Sequence, residues 1–171
     1  MSITFELPDY AKDIRLNLGS VLNEAGSDLN RKQIDSIALA AACATRHRGM
    51  IDAVLEHAAE NLSAEEINAA KAAATIMAMN NVYYRFMHSM TDQSYSAMPA
   101  KLRMNVMANP GTDKIAFELS SLAVSAINGC GMCMNAHAGQ LEKAGVSKLG
   151  IQSAVRIASV INAAALASQI I

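Results

Sequence analysis

The segment Asn128-Gly129-Cys130-Gly131-Met132-Cys133-Met134-Asn135-Ala136-His137 places two cysteines with two residues between them and a histidine four positions after the second. Cys-x-x-Cys closes the smallest loop that commonly forms a reversible disulfide, so the first chemistry it suggests is redox. The thiolate is the reactive form of cysteine, and a site that uses it must make deprotonation easy. Three features could do so. Cys130 and Cys133 fall at or just inside a predicted helix N-terminus, where unpaired backbone N–H groups favour negative charge. His137 lies one helical turn beyond Cys133, so its imidazole can face that sulfur and exchange a proton with it. Glu118 lies on the preceding helix, twelve residues before Cys130, in an otherwise apolar run with Ala116, Phe117, Leu119 and Leu122. If buried, that carboxylate needs a partner; the alternative is an ordinary exposed helix glutamate.

Zinc is the main rival chemistry. A structural zinc site takes four ligands. Cys130, Cys133 and His137 supply three, and Cys43, His47, His57 and His88 form no second clustered pair. Cys43, in an Ala-rich run, reads as an inert buried thiol. His47, His57 and His88 read as surface or helix-end residues, and Arg46-His47-Arg48 as a solvated helix end. Met132 and Met134 read as gap fillers. Its position at a helix end makes Cys130 the more accessible thiol of the pair.

The elements that must hold these residues are helices. Leu7-Pro8-Asp9 opens a first one, with Pro where its missing N–H is harmless. Ile14, Leu18, Val21 and Leu22 follow at helical spacing, and Gly26-Ser27-Asp28 ends it. Asn30 and Gln33 form a capping-box pattern before Ile34, Ile37, Ala38 and Ala41. A third helix is predicted over 51–59. Ser63 and Glu66 open a long helix through Ile67, Ala70, Ala74 and Met77 towards Phe86. Residues 92–97 read as a loop, and Met98-Pro99 as the start of a short helix that stops before Asn109-Pro110-Gly111. Thr112 or Asp113 caps a helix that ends at Asn128-Gly129, Gly being favoured where the chain leaves a helix left-handed. The next helix starts at about Cys130 or Gly131 and stops near Gly145. Ser147 caps the last, which is so apolar after Arg156 that it belongs in a core or a subunit interface.

A faint repeat at a shift of 84 relates Leu62-Ser63 and the helix after it to Val146-Ser147 and the helix after that. The same shift sets residues 34–45 against 118–129. Only the second half carries the cysteine pair.

Composition agrees with a single all-α domain over 1–171. Hydrophobic residues make up 52% and aromatics 4%, with no Trp and three Pro. A core built from Ala, Leu, Ile, Val and Met favours helices. The net charge is −1, from 14 basic and 15 acidic residues, with no basic stripe, so nucleic-acid binding has no electrostatic footprint. Residues 1–13 lack the basic-then-apolar pattern of a leader. Residues 119–141 are uncharged after Glu118 but contain Ser120, Ser121, Asn128, Gly129, Asn135 and His137 around a helix break, which argues against a membrane span. The expected location is the cytoplasm, where a Cys-x-x-Cys is more often catalytic or metal-binding than structural.

Glu118, Cys130-x-x-Cys133 and His137 together resemble the pattern of the AhpD alkylhydroperoxidase family, within the carboxymuconolactone-decarboxylase-like superfamily. The resemblance covers nearly the whole chain. It includes Leu7-Pro8-Asp9-Tyr10-Ala11-Lys12-Asp13-Ile14, Met79-Asn80-Asn81-Val82-Tyr83-Tyr84-Arg85, and Leu102-Arg103-Met104-Asn105 with Ala108-Asn109-Pro110-Gly111. Phe117-Glu118-Leu119 and Ser125-Ala126-Ile127-Asn128-Gly129-Cys130 also match.

The resemblance implies an all-α fold, a homotrimer with its redox site near subunit contacts, and an antioxidant activity that reduces organic hydroperoxides. It implies no bound cofactor, electrons from the lipoyl group of a lipoyl-bearing acyltransferase, and a second role in reducing the peroxiredoxin AhpC. It implies that Cys133 attacks the peroxide and becomes a sulfenic acid. Cys130 would then supply a proton and form the disulfide with it, and Glu118 and His137 would relay protons. A family member carries His between the cysteines where this chain has Met132. Three other readings stand beside this one: a dithiol electron-transfer adaptor without direct peroxidase activity, a non-redox decarboxylase or isomerase of the same superfamily, and a zinc-stabilised interaction module.

Overall fold

The computed structural model describes residues 6–170; residues 1–5 and 171, which belong to the predicted 1–171 domain and to the 1–13 stretch, lie outside the described residues. Among the described residues there are eight α-helices and no strand, in keeping with the all-α expectation. They are α1 (Lys12–Val21), α2 (Arg31–Thr45), α3 (Arg48–Ala58), α4 (Ala64–Ser89), α5 (Asn105–Ala108), α6 (Lys114–Ile127), α7 (Gly131–Lys143) and α8 (Lys148–Gln169). Two short 3-10 turns, Asp9–Ala11 and Gln93–Ala97, precede α1 and follow α4.

The predicted caps form. Asn30 accepts from the Gln33 N–H while the Gln33 side chain accepts from the Asn30 N–H. Ser63 and Glu66 do the same at α4. Asp113, rather than Thr112, caps α6, and Ser147 caps α8.

Four boundaries differ from expectation, each for a local reason. Helix α1 ends at Val21, before Gly26, where Asn23 Oδ1 accepts from the Ala25 N–H and turns the chain out of the helix. Helix α3 starts at Arg48, before residue 51, because the His47 imidazole acts as its cap: Nδ1 accepts from the Met50 N–H at 2.9 Å. Residues 93–97 form a turn of 3-10 helix instead of a loop, with Asp92 Oδ1 accepting from the Ser94 N–H. Met98-Pro99 opens no helix. Met98 is extended (ψ 137°), as proline imposes on the residue before it, and helix resumes only at Asn105.

Helices α2 and α6 are central. Helix α2 packs on α3, α4, α6 and α8, and α6 packs on α2, α4, α7 and α8. Ala38, Ala41, Ala123 and Ala158 at these contacts are buried and let the helices approach closely, while Ile34, Leu119, Ile157 and Ile161 fill the space between them. By length and composition α8 could cross a bilayer; in this structure it lies against α1, α2 and α6 and supplies core side chains. The faint repeat is visible in the element order. Helices α2, α3 and α4 start at 31, 48 and 64, and α6, α7 and α8 at 114, 131 and 148, an offset of 83 or 84.

The turn that matters most for the site joins α6 to α7. Gly129 adopts φ +69°, the Cys130 N–H reaches back to the Ser125 carbonyl at 3.0 Å, and α7 starts at once. Nothing lies within 4 Å of where a Gly129 Cβ would sit, so the constraint there is conformational rather than steric. Gly129→Ala is therefore expected to lower stability by about 1–2 kcal/mol, read as a lower urea midpoint at unchanged m-value.

Candidate active site

Cys130 is the N-cap of α7 and Cys133 its third residue. The Cys130 sulfur accepts from the Cys133 N–H at 3.3 Å, so the pair sits over the N–H-rich end of the helix as the sequence predicts. The two cysteines are joined in a disulfide, with Cα atoms 5.3 Å apart. The expected order of accessibility is reversed: Cys130 is fully buried and Cys133 is 6% exposed. The reason is the cap itself. An N-cap side chain turns inward over the first turn to reach its N–H, and here that turn is pinned against α6 through Ser125. Cys133, on the helix proper, faces a cavity.

That cavity, about 350 Å³, is lined by Cys133, Ala136 and His137 of α7, by Met132 at its exposed rim, by Met77, Asn80 and Tyr84 of α4, and by Met104 and Met107 around α5. Four methionines make the wall apolar and adaptable. The hollows beside Asn30 and Thr112 and beside Val21 and Arg156 hold no cysteine.

Glu118 is buried on α6, which excludes the exposed-glutamate alternative, and its Oε2 lies 2.7 Å from His137 Nδ1. The other ring nitrogen, Nε2, is 3.2 Å from the Met77 sulfur. The imidazole thus stands between a buried carboxylate and the cavity. Cys133 and His137 share that cavity; among the described residues no direct hydrogen bond joins the Cys133 sulfur to His137 or Glu118. A thioether is an acceptor only, so the Met77 contact suits a proton on Nε2.

Helix α4 ties this arrangement to the Gly129 turn. Asn81 Nδ2 donates to Ser125 Oγ at 2.9 Å, Asn128 Nδ2 donates to Asn81 Oδ1 at 2.9 Å, and Arg85 donates to the Asn128 carbonyl at 2.7 Å. Met77, Asn81 and Arg85 are one turn apart, so a single stripe of α4 supports both His137 and the cysteine turn. Sequence reasoning did not single out Met77, Asn80 or Asn81 as site residues. The available signal was a pair of asparagines in a helix otherwise rich in Ala and Met.

The other candidates lie elsewhere. Cys43 is free and half-buried rather than buried; burial pushes its thiol up, opposed by Lys71. His88 is exposed at the end of α4. His57 ends α3 but is buried, not a surface residue, because it faces the fully buried Asp35 at 3.5 Å. Burial pushes the Asp35 carboxyl up, while Arg31 at 2.8 Å and His57 pull it the other way. Among the described residues no three His, Cys, Asp or Glu side chains converge as metal ligands.

An all-helical fold with a helix-capping cysteine pair backed by a buried Glu–His contact defines the class. Residues 93–170, from the 3-10 turn after α4 through α8, match the carboxymuconolactone decarboxylase family. Within it, the chain is 56% identical over 164 residues to alkyl hydroperoxide reductase AhpD of Coxiella burnetii (strain Dugway 5J108-111), covering 95% of this chain and 93% of the relative. It is 54% identical over 159 residues to the AhpD of Hyphomonas neptunium, covering 93% and 87%. It is 52% identical over 162 residues to that of Brucella abortus, covering 95% and 91%. The chain belongs to the AhpD family.

The Glu118 contact carries a stability prediction. Glu118→Ala leaves the buried His137 Nδ1 unpaired, and chemical denaturation should show a loss on the order of 1–3 kcal/mol. Glu118→Gln, which keeps a hydrogen-bonding group in place, should lose less.

Proposed function

We propose that this protein is an antioxidant oxidoreductase that reduces alkyl hydroperoxides through a Cys130/Cys133 dithiol–disulfide cycle. The observation that carries the reading is the cavity. It presents one sulfur, Cys133, to an apolar space with His137 beside it, and keeps the partner sulfur, Cys130, buried behind it. The names of the relatives point to the same substrate class.

In this cycle the Cys133 thiolate attacks the terminal oxygen of R–O–O–H. The O–O bond breaks, its electron pair leaves on the alkoxide, and Cys133 becomes a sulfenic acid. A proton delivered to the alkoxide gives the alcohol. Cys130 then attacks the sulfenic sulfur, releases water with one further proton, and forms the disulfide seen here. Glu118 and His137 move the protons: Nδ1 of the ring is held on the carboxylate while its other edge borders the cavity. A donor dithiol restores the pair by thiol–disulfide exchange.

We assign the lipoyl group of an acyltransferase as that donor, the peroxiredoxin AhpC as a second electron acceptor, and a homotrimer as the working form. Met132 does not continue the proton path, since a thioether carries no proton; it belongs to the apolar rim. In this reading the relay ends at His137.

Cys133→Ser should abolish turnover of an alkyl hydroperoxide by the isolated protein supplied with dihydrolipoamide and no peroxiredoxin. Full activity in that variant would overturn the assignment. An inactive wild-type protein that still passes electrons to a peroxiredoxin would favour the adaptor role instead.

A further inference from the structure

Two adjacent asparagines on α4 behave differently. Asn81 is fully engaged, donating to Ser125 and accepting from Asn128. Asn80 is 4% exposed, lines the cavity, and has a buried Oδ1 with no hydrogen-bond partner among the described residues. Buried acceptors left unmade are rare, because desolvation is not repaid. The other polar groups lining the cavity are already occupied. His137 spends its nitrogens on Glu118 and Met77, and the Tyr84 hydroxyl faces the Met104 sulfur at 4.0 Å. The remaining wall is thioether and methyl. Apolar cavities that bind small molecules orient them with a few such placed polar groups.

We infer that the Asn80 carboxamide is the substrate-positioning group of this cavity: Oδ1 accepts the O–H of a hydroperoxide and so presents its terminal oxygen to the Cys133 sulfur. The inference rests on the peroxidase reading above and adds a residue to it. A hydroperoxide has a single O–H donor, on the oxygen that must be attacked. As the S–O bond forms and the O–O bond breaks, that hydrogen stays on the transferred oxygen. Asn80 therefore holds the same proton in the substrate and in the Cys133 sulfenic acid, while the alkoxide takes its proton through the Glu118–His137 pair. Sulfur is oxidised by two electrons and the peroxide is reduced to alcohol. The methionine wall accommodates the alkyl group. Asn80 orients the substrate without exchanging a proton, so its loss slows the peroxide step but not the thiol–disulfide step.

The test uses Asn80→Leu, of the same branched shape but without the acceptor. Single-turnover oxidation of the reduced protein by cumene hydroperoxide is compared with exchange of the 130–133 disulfide with dihydrolipoamide. The peroxide rate constant should fall roughly tenfold, the scale of one neutral hydrogen bond, with exchange unchanged. An unchanged peroxide rate, or an equal slowing of both steps, would overturn the inference. Asn80→Ala, which cannot overpack and favours helix, should give the same split and replaces the Leu variant if that one fails to fold. If wild-type protein does not react with the hydroperoxide at all, the peroxidase reading fails first, and the role of Asn80 with it.

Discussion

A carboxylate placed in an apolar helix must either reach water or find a donor, and Glu118 finds His137 at 2.7 Å. Most of the site follows from that contact. It joins α6 to α7, fixes the imidazole between the carboxylate and the Met77 sulfur, and so sets which face of α7 looks into the cavity. Cys133, one turn before His137 on α7, is carried to the same cavity. The sharp turn at Gly129 is what allows two consecutive helices to close on this pair, and the Asn81–Asn128–Arg85 network holds that turn from the side of α4.

The two halves of the chain use one scaffold differently. Asp35 and Glu118 are separated by the same 83 residues that separate α2 from α6, and each buried carboxylate meets a histidine on the following helix. His47 and Cys130, at the same spacing, are both N-caps that accept from the third residue of their helix. In the first half the carboxylate also takes Arg31 and Asn61. In the second half the histidine is left on a cavity wall beside a sulfur. The two halves thus differ by a few side chains on a shared frame.

Much of the frame was legible in the sequence because its signals are local. The capping boxes at Asn30 and Ser63, the Asp113 and Ser147 caps and the Asn128-Gly129 stop act within one turn of chain, and all of them form. The Cys-x-x-Cys and His137 were legible for the same reason: residue type and spacing mark them, whereas Glu118 stood out only as a carboxylate in an apolar helix that could equally have been exposed. What was not legible depends on packing. That Cys130 is the more buried sulfur follows from its capping side chain turning inward in a turn pinned against α6. His57 is buried because Asp35 lies within the core. Asn80 and Met77 become site residues only when α4 crosses α7, and His47 capped a helix that residue preferences alone start three positions later.

The central claim is that Cys133, the sulfur facing the cavity, is the atom that meets peroxide. The direct measurement is mass-spectrometric trapping of the sulfenic acid with a dione reagent, after one equivalent of alkyl hydroperoxide is added to reduced Cys130→Ser and Cys133→Ser proteins. The account predicts an adduct on Cys133 in the first protein, matched by release of one alcohol, and none on Cys130 in the second. An adduct on Cys130, with Cys133 unmodified in the first protein, would contradict it.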